Sequence, residues 1–245
     1  MELKILGSSS KGNCYLLDNG KECLMIECGI AFKEVQKAVN FDISRIKGVI
    51  VSHEHGDHAK HVQKCLDSRI PVYMSQGTKE ALKLEHRFAF PMFERIVVHI
   101  GNFKVQPFDT QHDAAEPFGF LIHHPECGLV LFATDTYYLR YAFADLNNIL
   151  IECNYRLDIL DANVEAGKLP KALRARTIKS HCSFDTCKET LLANDLSKVH
   201  NIVLIHLSDG NANAIEFKQG IQEVTGKTVH VAEKGMTINF NKSPF

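Results

Sequence analysis

Short apolar segments alternate with segments of helical spacing along the whole chain. The apolar runs are rich in Val, Ile, Phe or Tyr, and several are followed by Gly, Asp or Asn, which is typical of buried strands that end in turns. We predict strands over residues 3–6, 14–17, 23–27, 48–52, 72–74, 95–100, 104–108, 119–123, 129–133, 149–153, 202–205 and 228–232.

Helices are predicted where apolar residues recur every three or four positions. Ser183 is suited to cap a helix that turns Phe184, Cys187 and Leu191 inward. The other predicted helices cover residues 32–39, 59–66, 78–84 and 213–224. Because strands and helices are interspersed without a Pro/Gly/Ser-rich linker or a repeat, we expect a single layered α/β domain over residues 1–245, with helices outside the sheets.

Composition and charge narrow the class of protein. The chain is 45% hydrophobic and 23% charged, as in globular proteins, and 28 Lys and Arg against 29 Asp and Glu give a formal charge of −1. This balance excludes a global basic field, so any contact with nucleic acid must be local. No segment resembles a signal peptide or membrane span, and we expect a cytoplasmic protein without membrane contact. The eight cysteines form no CxxC pair and are interpreted as reduced, buried residues.

The histidines are distributed unevenly, and a hexapeptide with the sequence His-Glu-His-Gly-Asp-His directly follows a predicted strand. Residues i and i+2 of an extended segment project to the same side, so His53 and His55 can reach one metal ion. Gly56 lets the chain turn, and Asp57 and His58 can then point at a second ion. Imidazoles combined with a carboxylate suit Zn, Mn or Fe. The alternative is a polar surface turn, but four ligand-type residues in six favour a metal site.

Three later residues can complete two metal sites. His112, Asp135 and His206 each lie at or just beyond the close of an apolar strand, where loops leave a rigid scaffold. Each alone is more readily a core or surface residue, but together with the hexapeptide they favour a common metal centre.

These motifs, in order from about residue 24 to 208, resemble those of the metallo-β-lactamase superfamily. The resemblance implies a four-layer αββα sandwich with a dinuclear site along one edge. It implies His53, His55 and His112 as ligands of the first metal, Asp57, His58 and His206 as ligands of the second, and Asp135 as a bridge. Glu27 stands where the superfamily usually has Asp, which changes only the expected hydrogen bonding behind the ligands.

Two metal ions that share a water can lower its pKa and stabilise a displacement, so a hydrolase is expected. Asp135 occupies a position where true β-lactamases usually carry Cys, which makes a β-lactam substrate less expected. A lactonase or thioesterase would keep the ligands but need an apolar pocket. A non-catalytic binding protein would be expected to have lost ligands, and the sequence retains all of them.

Two further motifs favour a phosphodiester substrate. Residues 149–155 and 179–183 resemble the Glu-x-Asn and His-x-Ser motifs of YycJ-type nucleases and, less closely, motifs of tRNase Z. By this resemblance Glu152 and His181 form a proton relay, and with Asp57 they are the catalytic candidates. Glu152 alternatively is a structurally paired, buried carboxylate.

Residues 168–179 contain five cations and no acid, an evident anion site in a nearly neutral chain. Arg174 and Arg176 are suited to bind phosphate, and Ser9 and Asn13 belong to a loop that also resembles the YycJ group. The alternative for the cations is a solvated helix face.

The expected partners and cofactors follow from these motifs. We expect two divalent ions, Zn or Mn, and a substrate that is either nucleic acid or a cyclic nucleotide, as hydrolysed by anti-Pycsar proteins. Assembly as a homodimer stays open.

Overall fold

The computed structural model describes residues 1–243 and contains two β-sheets packed face to face with helices outside them. Its strands are β1 (Glu2–Gly7), β2 (Cys14–Asp18), β3 (Cys23–Ile26), β4 (Ile46–Ile50), β5 (Val72–Ser75), β6 (Ala89–Met92), β7 (Val98–Ile100), β8 (Phe103–Asp109), β9 (Phe118–His124), β10 (Gly128–Ala133), β11 (Leu146–Glu152), β12 (Asn201–Ile205), β13 (Thr228–Val231) and β14 (Thr237–Asn239).

The two sheets repeat one plan. The first has the order β14-β1-β2-β3-β4-β5-β6 and the second β13-β12-β11-β10-β9-β8-β7. In each sheet, strands at one end pair antiparallel and the remaining strands run parallel, from β3 to β6 and from β10 to β13. The carboxyl ends of β4, β8, β10, β11 and β12 consequently gather along one edge of the sandwich.

The helices cover the outer faces of both sheets. They are α1 (Phe32–Ala38), α2 (Gly56–Ala59), α3 (Val62–Asp67), α4 (Gln76–Ala81), α5 (Leu157–Glu165), α6 (Lys171–Ser180), α7 (Phe184–Leu192) and α8 (Ala214–Thr225), and a 3-10 turn spans Ile43–Arg45. Apolar residues of α1 and α3 pack on the first sheet, and those of α7 and α8 pack on the second.

Alternation along the strands builds three apolar layers. In β2, Tyr15 and Leu17 face the layer between the sheets, whereas Cys14 and Leu16 face the outer helices. The rings of Tyr15 and Phe132 meet edge to face at 5.7 Å and connect the sheets across that layer. Burying one such aromatic side chain stabilises the fold by about 1.5–3 kcal/mol. The αββα sandwich expected from the resemblance is confirmed.

All the predicted strands are present, but β6 and β14 were not predicted. β6 contains Pro91, which argues against a strand in the interior of a sheet, and it is tolerated because β6 lies at a sheet edge. The strand predicted over 95–100 begins only at Val98, since Arg95 adopts a positive φ of 62°.

The predicted helices are present with changed ends. The helix predicted over 59–66 is divided into α2 and α3, because the backbone N–H of His61 donates to Cys28 O at 3.0 Å. Ser183 caps α7 as predicted and accepts a hydrogen bond from Thr186 N. Helices α5 and α6 were not predicted.

All eight cysteines are free and buried, as expected. Within residues 1–243, every helix is too short or too polar to cross a bilayer.

Candidate metal centre

Three imidazoles converge at the carboxyl end of the sandwich. His53 and His55 follow β4, and His112 follows β8 from the opposite sheet. Nδ1 of His55 lies 3.0 Å from Nε2 of His53 and 3.1 Å from Nε2 of His112. Ligand atoms of all three residues lie within 4.8 Å of one another, so they can hold a metal ion together.

A second group lies beside the first. Asp57, at the start of α2, places Oδ2 3.3 Å from Nε2 of His58 and 3.0 Å from Nε2 of His206. His206 follows β12 in the second sheet, so this group also joins both halves of the sandwich. The three residues again form a set able to hold a metal ion.

Asp135 lies between the two groups. Its Oδ2 is 3.5 Å from Nε2 of both His58 and His112 and 3.8 Å from Nε2 of His53. Its Oδ1 is 3.8 Å from Nε2 of His206. One buried carboxylate therefore faces both groups, the position required of a bridging ligand.

Charge in the cluster suits divalent cations. Burial holds the pKa of His53 and His112 below the usual range, which favours neutral imidazoles able to ligate. Burial would also lower the pKa of His206, but the Asp135 carboxylate and the hydrogen bond to Asp57 outweigh it and raise the pKa to about 10. Excess negative charge thus draws protons onto the second group, and metal ions can supply that positive charge instead.

Polar groups behind the ligands orient their rings. His112 donates from Nδ1 to Ser180 O at 2.7 Å, which leaves Nε2 unprotonated towards the other ligands. Within residues 1–243, the buried Nδ1 of His58 has no hydrogen-bond partner, and it lies 3.4 Å from Oε1 of Glu27. Glu27 also accepts from the Ser52 backbone N–H. Glu27, which stands where the superfamily usually has Asp, therefore lies behind the candidate ligand His58.

The backbone is strained at three buried residues of the site. Glu27, Asp135 and His206 have positive φ values of 63°, 42° and 54°. Such conformations cost about 1–3 kcal/mol each and persist where surrounding structure enforces them. They aim each carboxylate or imidazole from a strand end back towards the cluster.

Glu152 and His181 form a pair beside the cluster. Glu152, the last residue of β11, is fully buried, and its Oε1 accepts from Nδ1 of His181 at 2.7 Å. Burial would lower the pKa of His181, but the charge and hydrogen bond of Glu152 outweigh it and raise the pKa. The pair therefore favours a protonated imidazole, whose Nδ1 lies 3.9 Å from Oδ2 of Asp135.

A cavity of about 290 Å³ opens over the cluster. Its walls contain Arg176 and Leu173 of α6 and Asp57 and Gly56 of α2. Arg176 donates from Nε to Asp113 Oδ2 at 2.8 Å, and Asp113 follows His112 in the chain. One cation of the predicted anion site therefore lies at the candidate metal centre.

The other predicted substrate-binding residues are not among those that line this cavity. Arg174 pairs with Asp161 at a separate cavity between α5 and α6, since residues two apart project from different sides of a helix. Asn13 is buried and donates its amide to Asp57 at 3.3 Å, beneath the cavity. Ser9 Oγ accepts from Lys11 N, whereas the neighbouring Ser10 lines the cavity.

A family model now connects this geometry with known proteins. The model of the metallo-β-lactamase superfamily matches residues 9–144. The chain belongs to the metallo-β-lactamase superfamily. Together with the His/Asp groups, this membership makes it a metal-dependent hydrolase.

Relatives in the superfamily agree with this assignment. The chain is 25% identical over 228 residues to an exodeoxyribonuclease YycJ of Bacillus anthracis, covering 86% of this chain and 84% of the relative. It is 25% identical over 224 residues to an exodeoxyribonuclease WalJ of Streptococcus pneumoniae, covering 84% and 81%.

Solved structures share the superfamily fold. The metallo-β-lactamase fold protein YhfI of Bacillus subtilis matches with a TM-score of 0.75 at 16% identity, over 97% of this chain and 99% of that one. The short form of human tRNase Z matches with a TM-score of 0.62 at 16% identity, over 98% and 99%.

Sequence reasoning missed Asp113 and Glu54 as neighbours of the superfamily motifs. Glu54 accepts at Oε1 from Ala115 N at 2.8 Å, which ties the hexapeptide to the segment that carries His112. The acid between His53 and His55 and the acid directly after His112 are visible in the sequence. Their contacts with Ala115 and Arg176 depend on the fold.

Proposed function

We propose that the protein is a phosphodiesterase that acts on nucleic acid with two divalent ions, Zn or Mn. The observation that carries the proposal is the His181–Glu152 pair, a histidine held by a buried carboxylate at the wall of the cavity that contains Asp135. Curated relatives named exodeoxyribonucleases, matched over more than four fifths of their length, support a DNA substrate.

Each group of ligands would hold one ion. His53, His55 and His112 would bind the first, Asp57, His58 and His206 the second, and Asp135 both. Bound divalent ions would supply Lewis acidity and generate a nucleophile from water at neutral pH.

The protein's own residues complete the reaction. Glu152 fixes His181 through Nδ1, so Nε2 is left to donate a proton to the oxygen that leaves the phosphorus. The raised pKa of His181 favours the protonated form required for that step. An alkoxide departs poorly without a proton, so this donation matters most for a sugar hydroxyl.

Arg176 is positioned to bind the phosphate. Its guanidinium lies at the cavity wall and is 57% exposed, so an incoming anion reaches it without displacing core residues. The Asp113 carboxylate holds the guanidinium in place, and the guanidinium would donate to a phosphate oxygen instead of, or together with, that carboxylate.

The size of the cavity also favours a cyclic nucleotide as a second candidate. About 290 Å³ lies at the lower end of ligand pockets and matches one nucleotide unit. A lactonase or thioesterase is less favoured, because charged and polar side chains dominate the walls and Leu173 is the large apolar residue among them.

A substrate panel tests the proposal. Purified protein reconstituted with Mn²⁺ or Zn²⁺ is assayed on bis-p-nitrophenyl phosphate, single-stranded DNA, a 3′,5′-cyclic nucleotide, a lactone and a thioester. We expect hydrolysis of the phosphodiesters, and loss of that activity with a chelator. Turnover of the lactone or thioester alone would refute the proposal, and preference for the cyclic nucleotide over DNA would assign the second candidate.

A further inference from the structure

The segment directly after Asp135 presents aromatic rings at the surface. Residues 137–141 read Tyr-Tyr-Leu-Arg-Tyr. Leu139 is 7% exposed and anchors the segment in the core, whereas Tyr137 and Tyr138 are 44% and 54% exposed. Two adjacent exposed aromatics beside a reaction centre contribute little to the core, which indicates a binding surface.

Hydrogen bonds fix this segment to the catalytic groups. The Thr136 backbone N–H donates to Glu152 Oε2 at 3.1 Å, and the Thr136 hydroxyl donates to Tyr138 O at 2.8 Å. The Tyr137 N–H donates to Gln111 O at 3.2 Å, next to His112. The two rings are therefore carried on a backbone that is hydrogen-bonded both to Glu152 of the proton relay and to the residue that precedes His112.

The distance along the chain keeps the rings near the reaction. Tyr137 is two residues from Asp135, so their Cα atoms lie at most about 7.6 Å apart. A nucleotide that adjoins the scissile phosphate can therefore reach this segment.

Arginine side chains lie near the aromatic segment. Arg140 is 58% exposed and donates to Gln111 Oε1 at 2.8 Å, while its other amino group lies 3.6 Å from Asp109. Arg95 lies 5.6 Å from the ring centre of Tyr141. Arg176 pairs with Asp113. Exposed guanidinium groups thus contact the residues directly before and directly after His112.

We propose that Tyr137, Tyr138 and Arg140 form a track for single-stranded nucleic acid that leads into the metal centre. The inference rests on the proposed function and names its substrate form. Every base has an aromatic face, so stacking on tyrosines tolerates any sequence, and Arg140 lies where a backbone phosphate would follow. Bases of an intact duplex stack on one another and present edges instead, so the track selects single strands.

The test measures binding without turnover. A fluorescein-labelled oligothymidylate is titrated with protein in the presence of a chelator, and fluorescence anisotropy gives Kd for wild type and for the Tyr137→Ala/Tyr138→Ala variant. Loss of stacking on two bases should raise Kd by about 30-fold or more. The Tyr137→Phe/Tyr138→Phe variant keeps both rings and should bind like wild type.

Phe41 supplies the matched control. It is 68% exposed and follows α1 on the first sheet, away from the track. Phe41→Ala should leave Kd unchanged, which separates stacking from general loss of apolar surface. Circular dichroism of each variant checks the fold, and the exposed rings make unfolding unexpected.

Two results would overturn the inference. One is an unchanged Kd for the double alanine variant, and the other is equal weakening by Phe41→Ala. If Kd is unchanged, a change in sedimentation of the alanine variant would assign the rings to protein contacts instead. Hydrolysis of bis-p-nitrophenyl phosphate by wild type reports separately on the proposed function, so failure of the track leaves that activity measurable.

Discussion

Oε1 of Glu152 accepts a hydrogen bond from Nδ1 of His181 at 2.7 Å, while Oε2 accepts from the backbone N–H groups of Thr136 and Cys182. One buried carboxylate therefore fixes the histidine, the loop after Asp135 and the segment that enters α7. Burial of an ionised carboxylate is costly unless donors satisfy it, and here three donors do.

The loss of kcat on removing the His181 imidazole should depend on the leaving group of the substrate. If His181 donates a proton to a leaving sugar oxygen, His181→Ala should lower kcat on DNA by about 10² to 10⁴. The loss should be far smaller on bis-p-nitrophenyl phosphate, because p-nitrophenolate departs without a proton. Steady-state kinetics on both substrates measures the difference.

Metal content is the control for this variant. Elemental analysis should find the same number of equivalents in wild type and His181→Ala. Equal losses on the two substrates, or loss of an equivalent of metal, would identify His181 as a ligand or a structural residue and contradict the proton relay.

The two metal groups should be separable by mutation. His55 lies close to the other histidines of the first group, and Asp57 lies close to those of the second. We expect wild type to bind about two equivalents of metal, and His55→Ala and Asp57→Ala about one each. Both variants should lose most activity but retain a cooperative unfolding transition.

Inductively coupled plasma mass spectrometry after reconstitution and desalting measures these equivalents. Metal should also raise Tm of wild type by mass action, and less in the variants. Less than one equivalent in wild type would rule out a dinuclear centre.

Arg176 and Arg174 provide a matched pair on one helix. Arg176 lines the cavity over the candidate metal centre, whereas Arg174 lies at another cavity and pairs with Asp161. Arg176→Ala should raise KM for DNA and reduce the salt dependence of KM, because one phosphate contact is lost. Arg174→Ala should change neither. Equal effects of the two substitutions would show that the helix contributes only a diffuse positive field.

The apolar runs predicted all but two of the strands because buried strands carry strong local patterns, whereas the αββα arrangement was implied by the resemblance to the metallo-β-lactamase superfamily. The candidate ligands were recognisable because they follow predicted strands. These are the His-x-His-x-Asp-His segment and His112, Asp135 and His206, and the rule that loops gather at one edge of the sheets brings them together. Helix α6 was missed because it is largely cationic and lacks apolar periodicity. Helix α5 carries Leu157, Leu160 and Val164 at helical spacing, a signal that was overlooked.

Side-chain contacts between distant segments could not be predicted. Arg176 and Asp113 are 63 residues apart, and only the approach of α6 to the loop after β8 brings them together. Tyr137 and Tyr138 belong to a short Tyr-Tyr-Leu-Arg-Tyr segment. From the sequence alone, these aromatic rings could equally well be assigned to the core. Their exposure depends on Leu139 taking the buried position.

Asp18 is the buried anion of a structural ion network away from the metal centre. It accepts from Lys4 Nζ at 2.8 Å, from Arg45 at 3.1 Å and from Gly20 N at 2.8 Å. Burial would raise the pKa of Asp18, but the hydrogen bonds from Lys4 and Gly20 and the charges of Lys4 and Arg45 outweigh it and lower the pKa.

Asp18→Asn should therefore destabilise the fold in a pH-dependent way. A carboxylate whose pKa is lowered by folding contributes stability above its unfolded pKa of about 3.9, and that contribution disappears as pH falls through the lower folded value. At neutral pH the variant should lose about 1–3 kcal/mol of unfolding free energy, because Lys4 and Arg45 keep their charges without the anion. Urea unfolding at pH 7 and at about pH 3 should show this loss shrinking with acidity. Asp145→Asn, which removes an exposed partner of Lys198, should change little at either pH. A loss independent of pH would mean that Asp18 stabilises by packing instead of charge.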